Sequence, residues 1–216
     1  MELDLVLFDL DGTIVRYDGQ FQSSWMGLGQ ALGLEKEWKE LTDYYLPRKE
    51  IYSEWFTKQV ATLKGLEVEL ALDKMLPPPY APGFLEFNTY LREKGVRRGI
   101  VSSGLSLVAD YVKGQAGLEV ALASELGIEN GLFTGQGFER VPLHNKGRVV
   151  SEVITQLGVN PCRTAYFGDS EYDSPAWKAV SWPFGMNLNK ESLKEKVVEY
   201  FTDFNEALVF FKRRLV

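Results

Sequence analysis

Hydrophobic and polar residues change their spacing twice along this chain of 216 residues. Residues 3–8 form a nearly continuous apolar run, which is typical of a strand buried on both faces of a parallel sheet. Between about Asp18 and Met75, apolar residues recur at spacings of three and four, which predicts three or four short helices. After a proline-rich segment at 77–83, runs of strand length alternate with helical patterns. The pattern therefore predicts strands and helices in alternation on both sides of a helical insert.

The second half of the chain supplies most of the predicted elements. Asn130-Gly131 predicts a hairpin turn. Since strand–helix alternation favours a parallel sheet covered on both faces, we expect an α/β fold. We expect a three-layer Rossmann-like domain of residues 1–15 and 81–216, with residues 16–80 inserted as an all-helical domain. The elements predicted after the insert are helices at about 83–94, 105–115 and 146–157 and from Asp203 onward, and strands near 99–101, 119–123, 163–167, 182–186 and 198–202.

Polar residues follow three of the predicted strands, at the point where each strand ends. These clusters lie at 9–13, 102–104 and 168–173. In a parallel sheet, ligands bind beyond the carboxyl ends of the strands. We therefore expect three separate segments of the chain to bring carboxylates and hydroxyls to one edge of the sheet.

Asp9 and Asp11 provide two carboxylates at the end of the first predicted strand. A carboxylate there can attack a phosphoryl group and form an aspartyl-phosphate. A second carboxylate can protonate the leaving oxygen and then take a proton from water. Gly12 and Thr13 are expected to let backbone N–H groups approach the phosphate oxygens. The alternative is that such aspartates are only helix caps and turn residues.

Asp169 and Asp173 lie four residues apart on a predicted turn that leads into a helix. Together with the first pair, they offer a carboxylate ligand for a metal ion and a residue to support it. Mg²⁺ prefers few carboxylates, retained waters and a substrate phosphate oxygen, which suits this set of residues. We therefore expect Mg²⁺ as the cofactor and a small phosphorylated metabolite as the substrate.

Composition and charge exclude several other classes of function. Thirty acidic residues against 24 basic ones give a net charge of −6 without a Lys- or Arg-rich block, which argues against nucleic acid or a membrane as a partner. One histidine and one cysteine rule out a site with several histidine ligands and an internal disulfide. We expect no secretory signal and no membrane span, and a cytoplasmic monomer or homodimer.

Four segments resemble, in the same order, the four motifs of the haloacid dehalogenase superfamily, most of whose members are phosphatases. The resemblance extends from Leu3 to about Phe211 and implies that the helical insert is a cap over the active site. The matching segments are Phe8-Asp9-Leu10-Asp11-Gly12-Thr13, Ile100-Val101-Ser102-Ser103-Gly104, Lys146-Gly147, and Gly168-Asp169-Ser170-Glu171-Tyr172-Asp173.

This resemblance implies a role for each matched residue. Asp9 would be the nucleophile and Asp11 the general acid and base. Ser102 would hydrogen-bond the phosphoryl group, and Lys146 would neutralise its charge. The implied Mg²⁺ ligands are Asp9, Asp169, Asp173 (as a ligand or as a support) and Asp11 through its backbone carbonyl; the expected substrate contacts are Gly12, Thr13, Asp18, Ser103 and Gly104.

Within the superfamily, the segment from Leu122 to Gly135 resembles the hairpin of the phosphoserine phosphatase-like branch. That branch grips its amino-acid substrate with an acid and an arginine from the cap. Asp18 could supply the acid, but Thr57 stands where the arginine is expected, and Tyr172 replaces a usual asparagine. We therefore expect phosphoserine to be a poor substrate.

Alternatives remain for the activity and for several side chains. The chain could be phosphoserine phosphatase itself, a phosphotransferase in which an alcohol replaces water, or a catalytically silent binding protein. His144 is expected on the surface, and Cys162 is expected to be partly buried. The aromatic residues of the insert are expected to form its core, or else to line the cleft; they are Trp25, Trp38, Tyr44, Tyr45, Tyr52, Trp55 and Phe56.

Overall fold

Seven strands form one sheet in a computed structural model that describes residues 1–17, 23–48 and 51–215. The order across the sheet is β4-β3-β2-β1-β5-β6-β7, and neighbouring strands are parallel except for the antiparallel pair β3 and β4. The predicted α/β fold with a mainly parallel sheet is confirmed. The strands are β1 (Leu5–Phe8), β2 (Arg97–Leu105), β3 (Val120–Glu129), β4 (Leu132–Phe138), β5 (Thr164–Gly168), β6 (Trp182–Met186) and β7 (Glu199–Phe201).

The helical insert contains four helices among its described residues, between β1 and β2. None of the helices in the described part of the chain is long and apolar enough to cross a membrane. The helices are α1 (Ser24–Ala31), α2 (Glu35–Tyr45), α3 (Tyr52–Ala61), α4 (Val68–Met75), α5 (Phe84–Glu93), α6 (Ser106–Ala116), α7 (Lys146–Gln156), α8 (Ser174–Trp177), α9 (Glu191–Lys194) and α10 (Phe204–Arg214).

Alternate residues of β1 belong to two different hydrophobic cores. Val6 and Phe8 pack in the core that includes the side chains of α5, α6 and α10. Leu5 and Leu7 pack in the core that includes the side chains of α7 and α8. Because successive side chains of a strand point to opposite faces, the two cores lie on opposite sides of the sheet. This three-layer arrangement explains why the first strand is apolar at every position.

The strand order reverses at β1, which pairs with β2 on one side and with β5 on the other. Phe8 is in register with Ile100 of β2 and with Phe167 of β5. The carboxyl ends of these three strands therefore lie side by side, at the position where open α/β sheets bind their ligands. This topology brings the segments that follow β1 and β5 next to the end of β2.

The hairpin of β3 and β4 joins the helical insert to the sheet. Its turn has Asn130 at φ 50° and Gly131 at φ 78°, the left-handed pair that the sequence predicts. Phe133 exchanges backbone hydrogen bonds with the insert, accepting from Gly65 N (2.8 Å) and donating to Leu66 O (2.9 Å). The last part of the insert is therefore fixed to the edge of the sheet.

The structure differs from the sequence analysis in strand lengths and at one side chain. β3 runs to Glu129, beyond the predicted end at residue 123, because its second half pairs with β4. Cys162 is exposed, although partial burial was expected. It lies in a short 3₁₀ turn outside the sheet, where its N–H bonds to the side chain of Asn160. The proposed domain boundaries at residues 15 and 81 stay a prediction.

Substitution of Phe167 by alanine tests the aromatic core between β1 and β6. Its ring stacks on Phe8 at 5.4 Å and on Phe184 at 4.9 Å and is fully buried. We expect Phe167→Ala to lower the free energy of unfolding by about 3–5 kcal/mol, because it leaves a cavity. The matched control Phe138→Ala removes a ring that is 57% exposed and should cost about 0.5 kcal/mol or less. Urea denaturation measures both, and equal losses would contradict this account of the core.

Candidate active site

Four chain segments meet at the carboxyl edge of the sheet. Asp9 follows β1, Ser102 lies near the end of β2, and Asp169 follows β5. Lys146 is the first residue of α7 and reaches the same place from outside the sheet. Asp9, Ser102 and Lys146 are 5%, 1% and 2% exposed, so these three polar groups are almost fully withdrawn from water.

Lys146 forms an ion pair with two carboxylates at once. Its Nζ lies 2.9 Å from Oδ1 of Asp9 and 2.6 Å from Oδ1 of Asp173. Burial by itself lowers the pKa of Lys146, but the negative charges of Asp173 and Asp9 outweigh burial and raise it above its ordinary value. The lysine is therefore charged at neutral pH and fixes the position of the Asp9 side chain.

Asp173 accepts hydrogen bonds on both carboxylate oxygens. Besides Lys146, its Oδ1 accepts from the hydroxyl of Tyr166 at 3.2 Å. Its Oδ2 accepts from the backbone N–H groups of Asp169 and Ser170, both at 3.0 Å, and from the Ser170 hydroxyl at 3.2 Å. Because its oxygens are already satisfied, this geometry favours a supporting role for Asp173 over direct ligation of a metal.

The carboxylates around Asp9 repel one another and are poorly hydrated. Burial raises the pKa of Asp9 from 3.8 to about 6 in spite of the charge of Lys146. Burial, followed by the charges of Asp173 and Asp9, also raises the pKa of Asp169. One oxygen from each of these three carboxylates lies within 4.8 Å of the others. Such a buried excess of negative charge fits a divalent cation with hard oxygen ligands.

Asp11 is held by a residue of the helical insert. Its Oδ2 accepts a hydrogen bond from the Ser24 hydroxyl at 2.7 Å, and Ser24 Oγ in turn accepts from Leu105 N at 3.0 Å. Oδ1 of Asp11 is buried and has no hydrogen-bond partner among the described residues. Burial raises the pKa of Asp11 from 3.8 to about 7, against the lowering effect of the Ser24 hydrogen bond. This carboxyl group can both give and take a proton near neutral pH.

The turn after β1 is shaped by contact with Asp169. Gly12 has φ +79°, and a Cβ at this position would overlap with the Asp169 carboxylate. Its N–H donates to Val15 O at 2.8 Å within the turn, and its approach to a phosphate oxygen stays a prediction. Thr13 is fully buried, and its hydroxyl has no partner in the part of the chain that is described.

The end of β2 is also tied to its surroundings. Ser102 Oγ accepts the backbone N–H of Gly104 at 3.0 Å, so this N–H is engaged and not free for a substrate. The carbonyl of Ser103 accepts from the indole of Trp25 at 3.1 Å, and the Ser103 hydroxyl is buried without a partner in the described residues. Asp18, the remaining predicted substrate contact, lies outside the described residues.

A cavity of about 780 Å³ opens between this edge of the sheet and the helical insert. Thr57, which stands at the expected arginine position, does not line it; its hydroxyl bonds to Ser53 O on an exposed part of α3. Arg48, which is the described arginine nearest to Thr57 in the sequence, points to Tyr44 and contacts its carbonyl and its ring.

His144 is exposed, as predicted. The insert aromatics that line the cavity are Trp25, Trp38, Trp55 and Phe56.

Comparison with known proteins identifies the family. Residues 6–178 match the haloacid dehalogenase-like hydrolases. The chain belongs to this family. A phosphoserine phosphatase of Archaeoglobus fulgidus is 30% identical over 195 residues, which cover 90% of this chain and 55% of that protein. A phosphoserine phosphatase of Methanocaldococcus jannaschii is 28% identical over 196 residues, which cover 89% of each chain.

A solved structure of the same family has a similar fold. It is described as a phospho-aspartyl intermediate analogue of phosphoserine phosphatase, and it superposes with a TM-score of 0.80 at 25% identity. The alignment covers 97% of this hydrolase and 99% of that chain. The fold and the family that the four sequence motifs predicted are therefore confirmed.

Two residues of this hydrolase's site were missed by the sequence analysis. Tyr166 lies inside an apolar strand, where its ring reads as core; its hydroxyl contacts Val101 O and Asp173. Ser24 lies in the helical insert, 13 residues after its partner Asp11. Nothing in the local sequence sets it apart, since a serine before a run of helical spacing is usual for a helix cap. Neither hydrogen bond follows from local spacing.

Substitution of Gly12 by alanine tests the turn that holds Asp169 in this hydrolase. We expect turnover of p-nitrophenyl phosphate to fall on the order of a hundredfold, because the new Cβ displaces the carboxylate from the site. The matched control is Gly95→Ala, since Gly95 has φ +73° but open space around a Cβ. It should lose about 1 kcal/mol of stability and no activity. Equal activity in the two variants would show that the contact between Gly12 and Asp169 has no catalytic importance.

Proposed function

We propose that this hydrolase is a Mg²⁺-dependent phosphomonoesterase that acts on a small phosphorylated metabolite through an aspartyl-phosphate at Asp9. The observation that carries the proposal is the buried Asp9 carboxylate, fixed by Lys146 at 2.9 Å beside a second carboxyl group, Asp11, with a pKa of about 7. The names of the phosphatase relatives support the same reaction class. This chain spans only 55% of the length of the Archaeoglobus relative. Its activity is therefore proposed from the residues of its own site as well as from the names of its relatives.

The reaction has two displacement steps at phosphorus. In the first, Asp9 attacks the phosphorus, the bond to the substrate alcohol breaks, and Asp11 gives its proton to the leaving oxygen. In the second step, a water molecule attacks the phosphorus, and Asp11 takes a proton from this water. The bond between Asp9 and phosphorus then breaks and releases inorganic phosphate, which returns both carboxyl groups to their starting states.

Lys146 and Ser102 stabilise the group that is transferred. Lys146 carries a fixed positive charge beside Asp9, where negative charge would otherwise repel a phosphate dianion. The hydroxyl of Ser102 accepts from Gly104 N and lies within hydrogen-bonding reach of the Asp9 carboxylate, so that its proton can be donated to a phosphoryl oxygen on Asp9. Asp173 acts through Lys146 and the backbone of Asp169, and so is a positioning residue in this proposal.

The Mg²⁺ site is proposed at Asp9 and Asp169, with the backbone carbonyl of Asp11 as a further ligand. The closeness of the carboxylate oxygens and the raised pKa of Asp169 support it. A bound Mg²⁺ supplies positive charge that offsets repulsion between these carboxylates and the phosphate. Residues 16–80 are proposed to act as a cap that excludes water from the cavity.

Phosphoserine hydrolysis is a second candidate, favoured by the names of the relatives. Serine carries a carboxylate that needs a cation in a poorly hydrated cleft, and Arg is preferred there because its planar fork matches a carboxylate. Thr57 is exposed and bonded to Ser53, and Arg48 is bonded to Tyr44. These contacts support a substrate other than phosphoserine.

Substitution of Asp9 by asparagine tests the proposed nucleophile. An amide cannot form the acyl phosphate, so we expect phosphate release to fall below about 1% of the parent rate. Asp73→Asn, which changes an exposed residue of α4 in the same way, should keep full activity. Release of phosphate from p-nitrophenyl phosphate measures both. Substantial turnover by Asp9→Asn, with native folding confirmed by circular dichroism, would remove Asp9 from this role.

The raised pKa values predict how stability depends on pH and on the metal. On folding, the pKa of Asp9 changes from 3.8 to about 6 and the pKa of Asp11 from 3.8 to about 7. The folded state therefore binds more protons than the unfolded state within that pH range. The metal-free protein should therefore lose stability as the pH rises from about 4 to about 7. We expect Mg²⁺ to raise Tm more at about pH 7.5 than at about pH 5, since ionised carboxylates bind it better.

The variant Asp169→Asn provides the control for that measurement. It removes a proposed ligand and should reduce the Mg²⁺-dependent rise in Tm at both pH values. An equal rise in the parent protein and the variant would contradict the proposed metal site.

A further inference from the structure

The lining of the cavity above Asp9 has a marked excess of acidic residues. Among the described residues that line it, six are acidic and two are basic, even though the substrate brings a phosphate dianion. A divalent cation would offset only part of this charge. The acidic residues are Asp9, Asp11, Glu35, Asp43, Glu139 and Asp169, and the basic ones are Lys39 and Lys146.

Both lysines of the cavity are already paired with carboxylates. Lys146 is buried between Asp9 and Asp173. Lys39 pairs with Asp43 at 2.7 Å, and both side chains are largely exposed. Within the described lining, no cation is left to bind a carboxylate of the substrate. A carboxylate in the leaving group would therefore have to compete with a carboxylate of the protein for its partner.

Unlike the two lysines, Glu139 is a charged side chain of the cavity that has no partner among the described residues. It lies at the hairpin side of the cavity, is half-buried, and forms no ion pair or hydrogen bond with the described residues. Burial alone raises its pKa above the ordinary value. A positively charged group that entered the cavity would provide a partner for Glu139 and favour its ionised form.

Aromatic rings provide the rest of the wall. The Trp25 ring lies 5.9 Å from the Trp38 ring and 5.8 Å from the Phe56 ring, and the indole of Trp25 is fixed by the Ser103 carbonyl. Trp55 lines the same cavity. The faces of such rings attract ammonium groups, most strongly when water is excluded. Aromatic rings and an unpaired carboxylate that line one cavity are a suitable composition for a site that binds an organic cation.

We infer that the substrate is the phosphate monoester of an amino alcohol, with a primary or quaternary ammonium group and without a carboxylate. This inference rests on the proposed phosphomonoesterase function and names the chemistry of its leaving group. The ammonium group would lie among Trp25, Phe56 and Glu139, and the phosphate would lie at Asp9 and Lys146. Phosphoserine shares the ammonium group but adds the carboxylate that the cavity does not accommodate.

The test compares esters that differ in one charge at a time. Phosphocholine and 3,3-dimethylbutyl phosphate have the same shape, but only the first has a cationic nitrogen. Phosphoethanolamine and phosphoserine differ by the carboxylate, and phosphoglycolate carries a carboxylate alone. We expect kcat/KM to be roughly tenfold or more higher for the preferred cationic ester than for its neutral analogue and for phosphoserine. A preference for phosphoserine or phosphoglycolate would overturn the inference.

Variants at the hairpin test the role assigned to Glu139. Glu139→Gln should lower the ratio of kcat/KM between phosphocholine and its neutral analogue by roughly tenfold. The ratio is independent of the fraction of protein that folds, because both esters are measured on the same sample. Glu129→Gln removes an exposed charge of the same hairpin outside the cavity and should leave the ratio unchanged. An unchanged ratio in Glu139→Gln would show that this carboxylate does not bind the leaving group.

A binding measurement separates the inference from the proposed function. Calorimetry with Asp9→Asn and Mg²⁺ measures the affinity for each ester without turnover. If the cationic esters bind best but the parent protein hydrolyses no ester, including p-nitrophenyl phosphate, the proposed function falls and only the binding site for an ammonium group stands. If p-nitrophenyl phosphate is hydrolysed but the carboxylate esters bind best, the proposed function stands and the inference falls.

Discussion

The arrangement of the site depends on one buried ammonium group, that of Lys146, between the carboxylates of Asp9 and Asp173. Removing these charges from water is costly, and only close contact between them repays the cost. Because β1 and β5 are neighbouring parallel strands, Asp9 and the loop that contains Asp173 lie next to each other at the carboxyl edge of the sheet. This position makes the contact possible. In the proposed reaction, the same lysine would let the Asp9 carboxylate and a phosphate dianion approach each other.

Asp173 extends this interaction into the loop after β5. It binds the backbone of Asp169 and Ser170 as well as Lys146, and Gly12 leaves room for the Asp169 carboxylate. Ser24 links Asp11 to the helical insert, so that the proposed acid and base depends on a residue outside the sheet. The site is therefore a set of carboxylates, each positioned by a different neighbour, and Lys146 offsets part of their charge.

The sequence predicts the strands and the meeting of the polar segments because both follow from local patterns and from the topology of parallel sheets. The motif around Asp9 and the start of a helix at Lys146 are of this kind. The hydrogen bonds of Ser24 and Tyr166 could not be predicted, since each joins residues that are distant in sequence or hidden in an apolar strand. The close approach of Gly12 to Asp169 could not be predicted for a related reason: it spans 157 positions, and only the fold shows it.

In the proposed reaction, the Lys146 ion pairs make Asp9 the group that carries the phosphoryl intermediate. Brief incubation with a hydrolysed ester, followed by borohydride reduction and peptide mass spectrometry, tests this claim directly, because borohydride converts an acyl phosphate to an alcohol. The account predicts a reduced side chain at Asp9 and at no other acidic residue, with the signal lost when the ester is omitted. Reduction at a different carboxylate, or none during steady turnover, would contradict it.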